Sequence, residues 1–169
     1  MVKVGLIADT HDYLDPQVFE YFKDVDEIWH AGDFGTLKVA KDLENIAPVK
    51  GVHGNIDDQV IRDSYPYSNR FTVEGVDVWI VHIGGNPGRY SLPIRREMKK
   101  NPPNLFICGH SHILKIARDP DNKEMLFINP GAAGRQGFHT ERTIIRFQVD
   151  NGSIDEVEVI NLGPRSDRE

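Results

Sequence analysis

The amino-acid order predicts an α/β protein built as a two-layer mixed β-sheet sandwich, its sheet parallel at first and mixed or antiparallel later. Three observations predict it. Short β-branched and apolar runs alternate with helical patterns as far as His53, strand patterns without helices take over after Leu105, and turn residues separate the elements. Residues 2–8 form an apolar run that stops at Asp9, as an interior strand does. Asp15-Pro16 reads as a helix cap followed by proline in the first turn, opening a helix through about Lys23. Residues 27–31 are a second strand ending in Gly32-Asp33. Thr36 then caps a helix whose apolar positions Leu37, Val39, Ala40, Leu43 and Ile46 follow helical spacing, and Pro48 closes it. Residues 49–53 make a third strand, ending in Gly54-Asn55.

The middle reads as a hairpin, 70–73 and 76–81 around Glu74-Gly75, with the second strand ending at His82. Residues 91–100 suit a helix with Pro93 near its start and Asn101-Pro102-Pro103 at its end. Residues 105–108 are a buried strand ending in Gly109-His110. Strands at 113–118, 125–128, 142–149 and 154–160 complete the chain, with turns at Asp119-Pro120-Asp121-Asn122 and Asp150-Asn151-Gly152. One domain is expected over residues 1–163, followed by a frayed polar tail at 164–169.

Composition narrows the function. The 169 residues carry a formal charge of −6, and no basic stripe is visible, which argues against a nucleic-acid polymer as partner and against a nuclease. A small phosphoester stays admissible, because bound cations reverse the local field. One cysteine, Cys108, forms no internal disulfide and reads as a small buried residue. The N-terminal apolar run is too short for a signal peptide and no segment is long enough to span a membrane, so a soluble cytoplasmic protein is expected.

Five strand ends share one feature: the apolar run stops and presents a metal-capable side chain, usually beside glycine. They are Asp9-Thr10-His11, Gly32-Asp33, Gly54-Asn55-Ile56-Asp57, His82 with Gly84-Gly85, and Gly109-His110-Ser111-His112. Ligands of open α/β sheets bind beyond the carboxyl ends of the strands, so these groups should converge. The candidates are Asp9, His11, Asp33, Asn55, His82, His110 and His112. Carboxylate, imidazole and amide without thiolate suit Mn²⁺, Fe²⁺, Ni²⁺ or Zn²⁺ rather than Ca²⁺. The set exceeds one tetrahedral ion and fits two ions sharing a carboxylate, the arrangement used for in-line displacement at phosphorus.

In this order the motifs resemble the signature of the calcineurin-like metallophosphoesterase superfamily. The small size, with Asn129-Pro130-Gly131, is similar to its minimal YfcE-type branch of bacterial and archaeal phosphodiesterases. The likeness runs from residue 9 to about residue 131. It implies an α/β/β/α sandwich flanked by helices. It implies that Asp9, His11, Asp33 and His112 hold one metal and Asp33, Asn55, His82 and His110 the second, with Asp33 bridging. Manganese is the first expectation, with iron, nickel or zinc as alternatives. A hydroxide between the metals would attack phosphorus in a small phosphoester, a diester rather than a monoester. Two positions depart from the family pattern. Ile56 stands where many relatives carry a leaving-group histidine, which points to esters with good leaving groups, and Ile83 rather than glycine follows His82.

Taken singly, each motif has a plainer reading. Asp9 would cap a helix or form a turn, Asp33 and Asn55 would serve turns, and His110 and His112 would be a surface pair. Turn chemistry does not explain why five strand ends share one ligand vocabulary. His30 reads as a core histidine or a partner to a ligand. His53 is a proton donor or phosphate contact, and Asp57 an orienting partner, so His53, Asn55 and Asp57 are the catalytic candidates. Asn55, His53, His110 and Arg135 are the expected substrate contacts, with Arg89 as a further loop arginine; a solvated arginine is the commoner case. His139 is expected to be exposed. A rival reading is a non-catalytic interaction scaffold, like the retromer subunit of this fold. The hairpin from Phe71 to Trp79 offers an edge for pairing with a second copy, hence a homodimer.

Overall fold

Strand β1 (Val2–Ile7) shows how the layers arise. Val4 and Leu6 point into a core shared by two sheets, while Ile7 points to the opposite face, into a second core under helices. Side chains alternate along a strand, and burial on both faces explains the apolar run from Val4 to Ala8. In the computed structural model, whose described residues are 1–166, β1 is the centre of a sheet of order β10-β9-β1-β2-β3. It pairs in parallel with β2 (Glu27–His30), which pairs in parallel with β3 (Val49–Gly51). On its other side β9 (Glu141–Asp150) and β10 (Ser153–Pro164) run antiparallel. Helices α1 (Gln17–Tyr21), α2 (Leu37–Glu44) and α3 (Gln59–Ser64) place Val18, Leu43 and Ile61 in the core that holds Ile7 and Ile28.

The second sheet has the order β4-β5-β6-β8-β7. Its strands are β4 (Ser68–Val73), β5 (Val76–Val81), β6 (Leu105–Ile107), β7 (Lys115–Asp119) and β8 (Met125–Asn129). The pairs β5–β6 and β6–β8 are parallel; β4–β5 and β7–β8 are antiparallel. Val78, Ile80, Leu105, Ile107 and Ile128 face the first sheet and meet Trp29, Ile145 and Phe147 there. Trp79, Phe106 and Phe127 take the other face, against Ile94 and Met98 of helix α4 (Leu92–Lys100). Both sheets are mixed, and helices flank both outer faces, as the resemblance implied.

The differences from expectation have local causes. Helix α3 was not anticipated; it buries a single residue, Ile61, so its sequence has no helical apolar stripe. Helix α1 ends at Tyr21 rather than near Lys23, because Phe22 leaves the helical conformation, at φ −100° and ψ 5°, and the Val25 amide bonds the Phe22 carbonyl in a turn. Strand β3 ends at Gly51, two residues early, and the His53 amide bonds the Pro66 carbonyl instead. Strand β7 starts at Lys115, not Ile113. The expected frayed tail begins too soon: Pro164 belongs to β10, and the Arg165 amide bonds the Thr140 carbonyl. The expected tail's last positions, 167–169, lie outside the described residues. Strand β4 is an edge, but Phe71 turns inward, edge-on to Trp29 at 5.1 Å. Among the described residues no helix is long and apolar enough to cross a membrane.

Candidate metal centre

The loops leaving β1, β2, β3, β5 and β6 meet at one end of the sandwich. Asp9 is fully buried, and its Oδ2 accepts from the His110 amide at 3.1 Å. Its other oxygen, Oδ1, has no hydrogen-bond partner; it lies 3.4 Å from His112 Nε2, 3.8 Å from His82 Nε2 and 3.9 Å from His11 Nε2. Asp33 is also buried. Its Oδ1 accepts from the Ile56 amide at 3.1 Å, while Oδ2 lies 3.1 Å from His82 Nε2 and 3.4 Å from His11 Nε2. Two ligand groups result, Asp9 with His11 and His112, and Asp33 with His82 and His110, each with its donor atoms within 4.8 Å of one another. Asn55 joins the second group: its Oδ1 is 3.0 Å from His82 Nε2 and 3.1 Å from His110 Nδ1. All seven candidates therefore lie together.

The chemistry of these contacts is unusual for a protein interior. His82 donates Nδ1–H to the Ala31 carbonyl at 2.8 Å, so a neutral ring turns a bare Nε2 toward Asp9, Asp33 and Asn55. Acceptors face acceptors. Such an arrangement is repulsive unless a proton or a cation sits among the lone pairs. The buried, unpartnered His11 Nε2 and Asp9 Oδ1 say the same. The titration behaviour follows. Burial pushes the His82 imidazole down, but Asp33 and then Asp9 outweigh it and raise it above its ordinary value. Burial pushes the Asp33 carboxyl up, but His82, the Ile56 amide and His11 hold it below the usual range. These residues fit a pair of divalent cations.

The backbone is bent to deliver the ligands. Asp9, His11, Asp33, His110 and His112 have φ between 45° and 70°, the left-handed region that side chains avoid at a cost on the order of 1 kcal/mol each. The strain is held by surrounding bonds. Asp57 Oδ2 accepts from the amides of Asp33 at 3.0 Å and Gly54 at 2.8 Å, and its Oδ1 accepts from Gly35 at 3.0 Å. Asp57 thus sets the two loops that carry Asp33 and Asn55. Asn129, buried at the end of β8, donates to the Gly109 carbonyl and to Ser111 Oγ, and so braces the turn holding His110 and His112. His30 is a fully buried core histidine. It accepts from the Gly32 amide, lies 3.1 Å from Thr10 Oγ1 and stacks on Phe34, and burial, then His82, push its imidazole down to about 3.

The remaining expectations divide. His53 lies at the rim with Asn55, its Nδ1 donating to the Tyr65 carbonyl at 2.8 Å. Arg135 stacks on Tyr13 with its guanidinium carbon 4.1 Å from the ring centroid. Cys108 is buried, which raises its thiol to about 12. His139 is not the exposed side chain expected. It is half-buried, its ring 5.1 Å from that of His112, with Nε2 donating to the Gly134 carbonyl and Nδ1 buried without a partner. Nothing in its spacing marks it, since its contact with His112 forms only when the loop after Gly131 folds back over the ligand loop. The hollow walls around Tyr67 and Phe138 were missed for the same reason.

A family profile for the calcineurin-like phosphoesterase superfamily domain matches residues 2–152. The chain belongs to that superfamily. Among its relatives, a probable metallophosphoesterase of Methanothermobacter thermautotrophicus is 28% identical over 165 residues, covering 95% of this chain and 92% of that one. A protein named phosphodiesterase from Methanocaldococcus jannaschii is 29% identical over 146 residues, covering 77% and 83%. Among solved structures, one described as a novel archaeal phosphodiesterase superposes with a TM-score of 0.74 at 25% identity, covering 95% of this chain and 99% of that one. Vacuolar Protein Sorting 29 from Cryptosporidium parvum shares the fold, with a TM-score of 0.67 at 16% identity over 96% and 98% of the two chains. The calcineurin-like superfamily uses divalent metals, in keeping with the two ligand groups of this chain.

Proposed function

We propose that this member of the superfamily is a dimetal phosphoesterase of small phosphodiesters, acting in the cytoplasm. One observation carries the reading: seven metal-capable side chains converge at one end of the sandwich, and Asp9 Oδ1 and His11 Nε2 lie buried among them without a hydrogen-bond partner. Asp9, His11, Asp33 and His112 would hold one cation, and Asp33, Asn55, His82 and His110 the other, with manganese the first expectation. Bound there, the cations supply Lewis acidity, bringing water to a pKa of about 7 and neutralising charge on the phosphoryl oxygens.

The chain's own groups do the rest. The Ala31 carbonyl fixes the His82 tautomer, and Asp57 fixes the Asp33 and Asn55 loops through three backbone amides. With its carbonyl oxygen turned to His82 and His110, Asn55 keeps its NH2 group for a phosphoryl oxygen. His53 is held by the Tyr65 carbonyl and offers its second ring nitrogen at the rim. Ile56 leaves the leaving group without an adjacent imidazole, so esters of acidic alcohols or phenols are the better substrates. A scaffold would gain nothing from gathered lone pairs and strained ligand backbones, which destabilise a fold that holds no cations.

Hydrolysis of bis(p-nitrophenyl) phosphate after loading with Mn²⁺, Fe²⁺, Ni²⁺ or Zn²⁺ tests the proposal. Metal analysis should find two ions per chain, and Asp33→Ala and His110→Ala should each lower the rate by more than about 100-fold, beyond the effect of an outer partner. Less than one ion per chain after loading, or full activity in Asp33→Ala, would sink it.

A further inference from the structure

The open side of the centre is flanked by two unequal hollows. One, of about 400 Å³, runs from His110 and His112 to Ile113, Phe138 and His139. The other, of about 240 Å³, lies beyond the His110–Asn55 contact, between His53, Arg62, Tyr67 and Ile83. Two hollows beside the ligand groups leave room for the two substituents of a diester bound there.

The walls of the larger hollow are out of place on a polar surface. Phe138 is fully exposed at 102% and Ile113 is 65% exposed, and both line the hollow that also contains His110 and His112. Neighbouring exposed apolar side chains mark binding sites. Phe138 does not hang on a loose segment. His139 bonds the Gly134 carbonyl at 2.8 Å, Arg165 Nε donates to the His139 carbonyl at 2.9 Å, and the Arg165 amide bonds Thr140 at 2.9 Å. Gly137 sits so close to His112 that an added Cβ would lie 2.2 Å from its Nδ1. The backbone that carries Phe138 is therefore held against a metal-ligating side chain.

We propose that the hollow between Phe138 and Ile113 is the subsite for one ester substituent and takes a flat aromatic ring. The preferred substrate is then a diester with unequal substituents, the aromatic one in this hollow. This rests on the reading of the centre as a phosphoester site. His110 and His112 belong to both the hollow and the ligand groups, so a ring in the hollow lies beside the centre that would hold the phosphoryl group.

Calorimetric titration of the Mn²⁺-loaded protein with phenylphosphonate and methylphosphonate separates the ring from the anionic head. Burying about half a ring against such walls is worth on the order of tenfold in affinity, so phenylphosphonate should bind about tenfold tighter. Phe138→Ala combined with Ile113→Ser should reduce that ratio to near one, while Tyr67→Ala, in the other hollow, should leave it in place. Both altered side chains of the double variant are exposed, so loss of core packing does not confound the result. Equal affinities in the unaltered protein, or a ratio that survives the double variant, overturn the subsite. So does a chain that self-associates through this patch and becomes monomeric in Phe138→Ala without any ring preference. Hydrolysis of methyl p-nitrophenyl phosphate in parallel tells the two readings apart. Aromatic preference without hydrolysis supports the subsite and defeats the catalytic proposal; hydrolysis with equal phosphonate affinities does the reverse.

Discussion

Gly54 has no side chain, and the metal centre depends on that. A Cβ there would lie 2.0 Å from Asp33 Oδ1 and 2.5 Å from the Asp33 amide, while the Gly54 amide is already bonded to Asp57. Gly54→Ala must therefore push Asp33, the carboxylate that faces both ligand groups, out of place. The expected outcome is fewer than two bound ions and a loss of activity of about 100-fold, with a stability cost of about 1–3 kcal/mol from overpacking. Metal analysis beside thermal unfolding checks it; unchanged stoichiometry would show that the loop can yield. Residues of this kind were legible in the sequence, because a glycine touching a ligand motif implies close approach. Asp57 was legible only as a partner, since two of the three backbone amides it receives, those of Asp33 and Gly35, lie on another loop and cannot be read from its neighbours in the chain. His139 was illegible: what gives it a role is a ring contact with His112, twenty-seven positions away.

At the scale of elements, strands were easier to read than helices. Helices cover both outer faces, so β1, β5 and β6 appear as apolar runs broken only by Lys3 and Asp77, and their ends mark the ligands. Strand β10 carries the opposite pattern, mostly exposed, which is why its last residues looked like a tail. Helix α3 shows what was lost. Only its cap was visible in principle: Asp58 accepts from the Ile61 amide at 3.2 Å. Yet α3 serves the site, since Arg62 Nε donates to the Asp57 carbonyl and the Tyr65 carbonyl at its end receives His53. Asp58→Ala should cost about 1 kcal/mol, seen as a fall of about 2–4 °C in Tm. Because the cap supports the His53 rim rather than the ligands, two ions should still bind, with less than about tenfold loss in kcat/KM. A variant that bound no metal would mean that α3 carries the centre itself.

The whole molecule is closed by an ion pair remote from the chemistry. Asp15, at the head of α1, receives Nη1–H from Arg142 on β9, whose Nε and Nη2 donate to the carbonyls of Pro164 and Leu162 on β10 at 3.0 Å each. The pair is almost fully buried, at 6% and 7% side-chain exposure, and ties the first helix to the last strand. Burial alone would raise the Asp15 carboxyl, but the Gln17 amide and Arg142 outweigh it and hold it below its ordinary value of 3.8. A carboxyl depressed in the folded state stabilises above its unfolded pKa and loses that contribution as pH falls through the folded pKa. The chelated protein should therefore lose this contribution only below about pH 4, a window in which bound metals would otherwise confuse the result. Asp15→Asn removes the charge and should cost about 1.5–3 kcal/mol at pH 7, the range for hydrogen bonds to charged groups. It should cost less at pH 3, below the ordinary carboxyl value, where protonation of the unfolded chain already draws on the native contribution. Thermal unfolding of both chains at the two pH values decides it. Parallel losses at pH 7 and pH 3 would mean that Asp15 acts through its shape and its bond to Gln17, not through its charge.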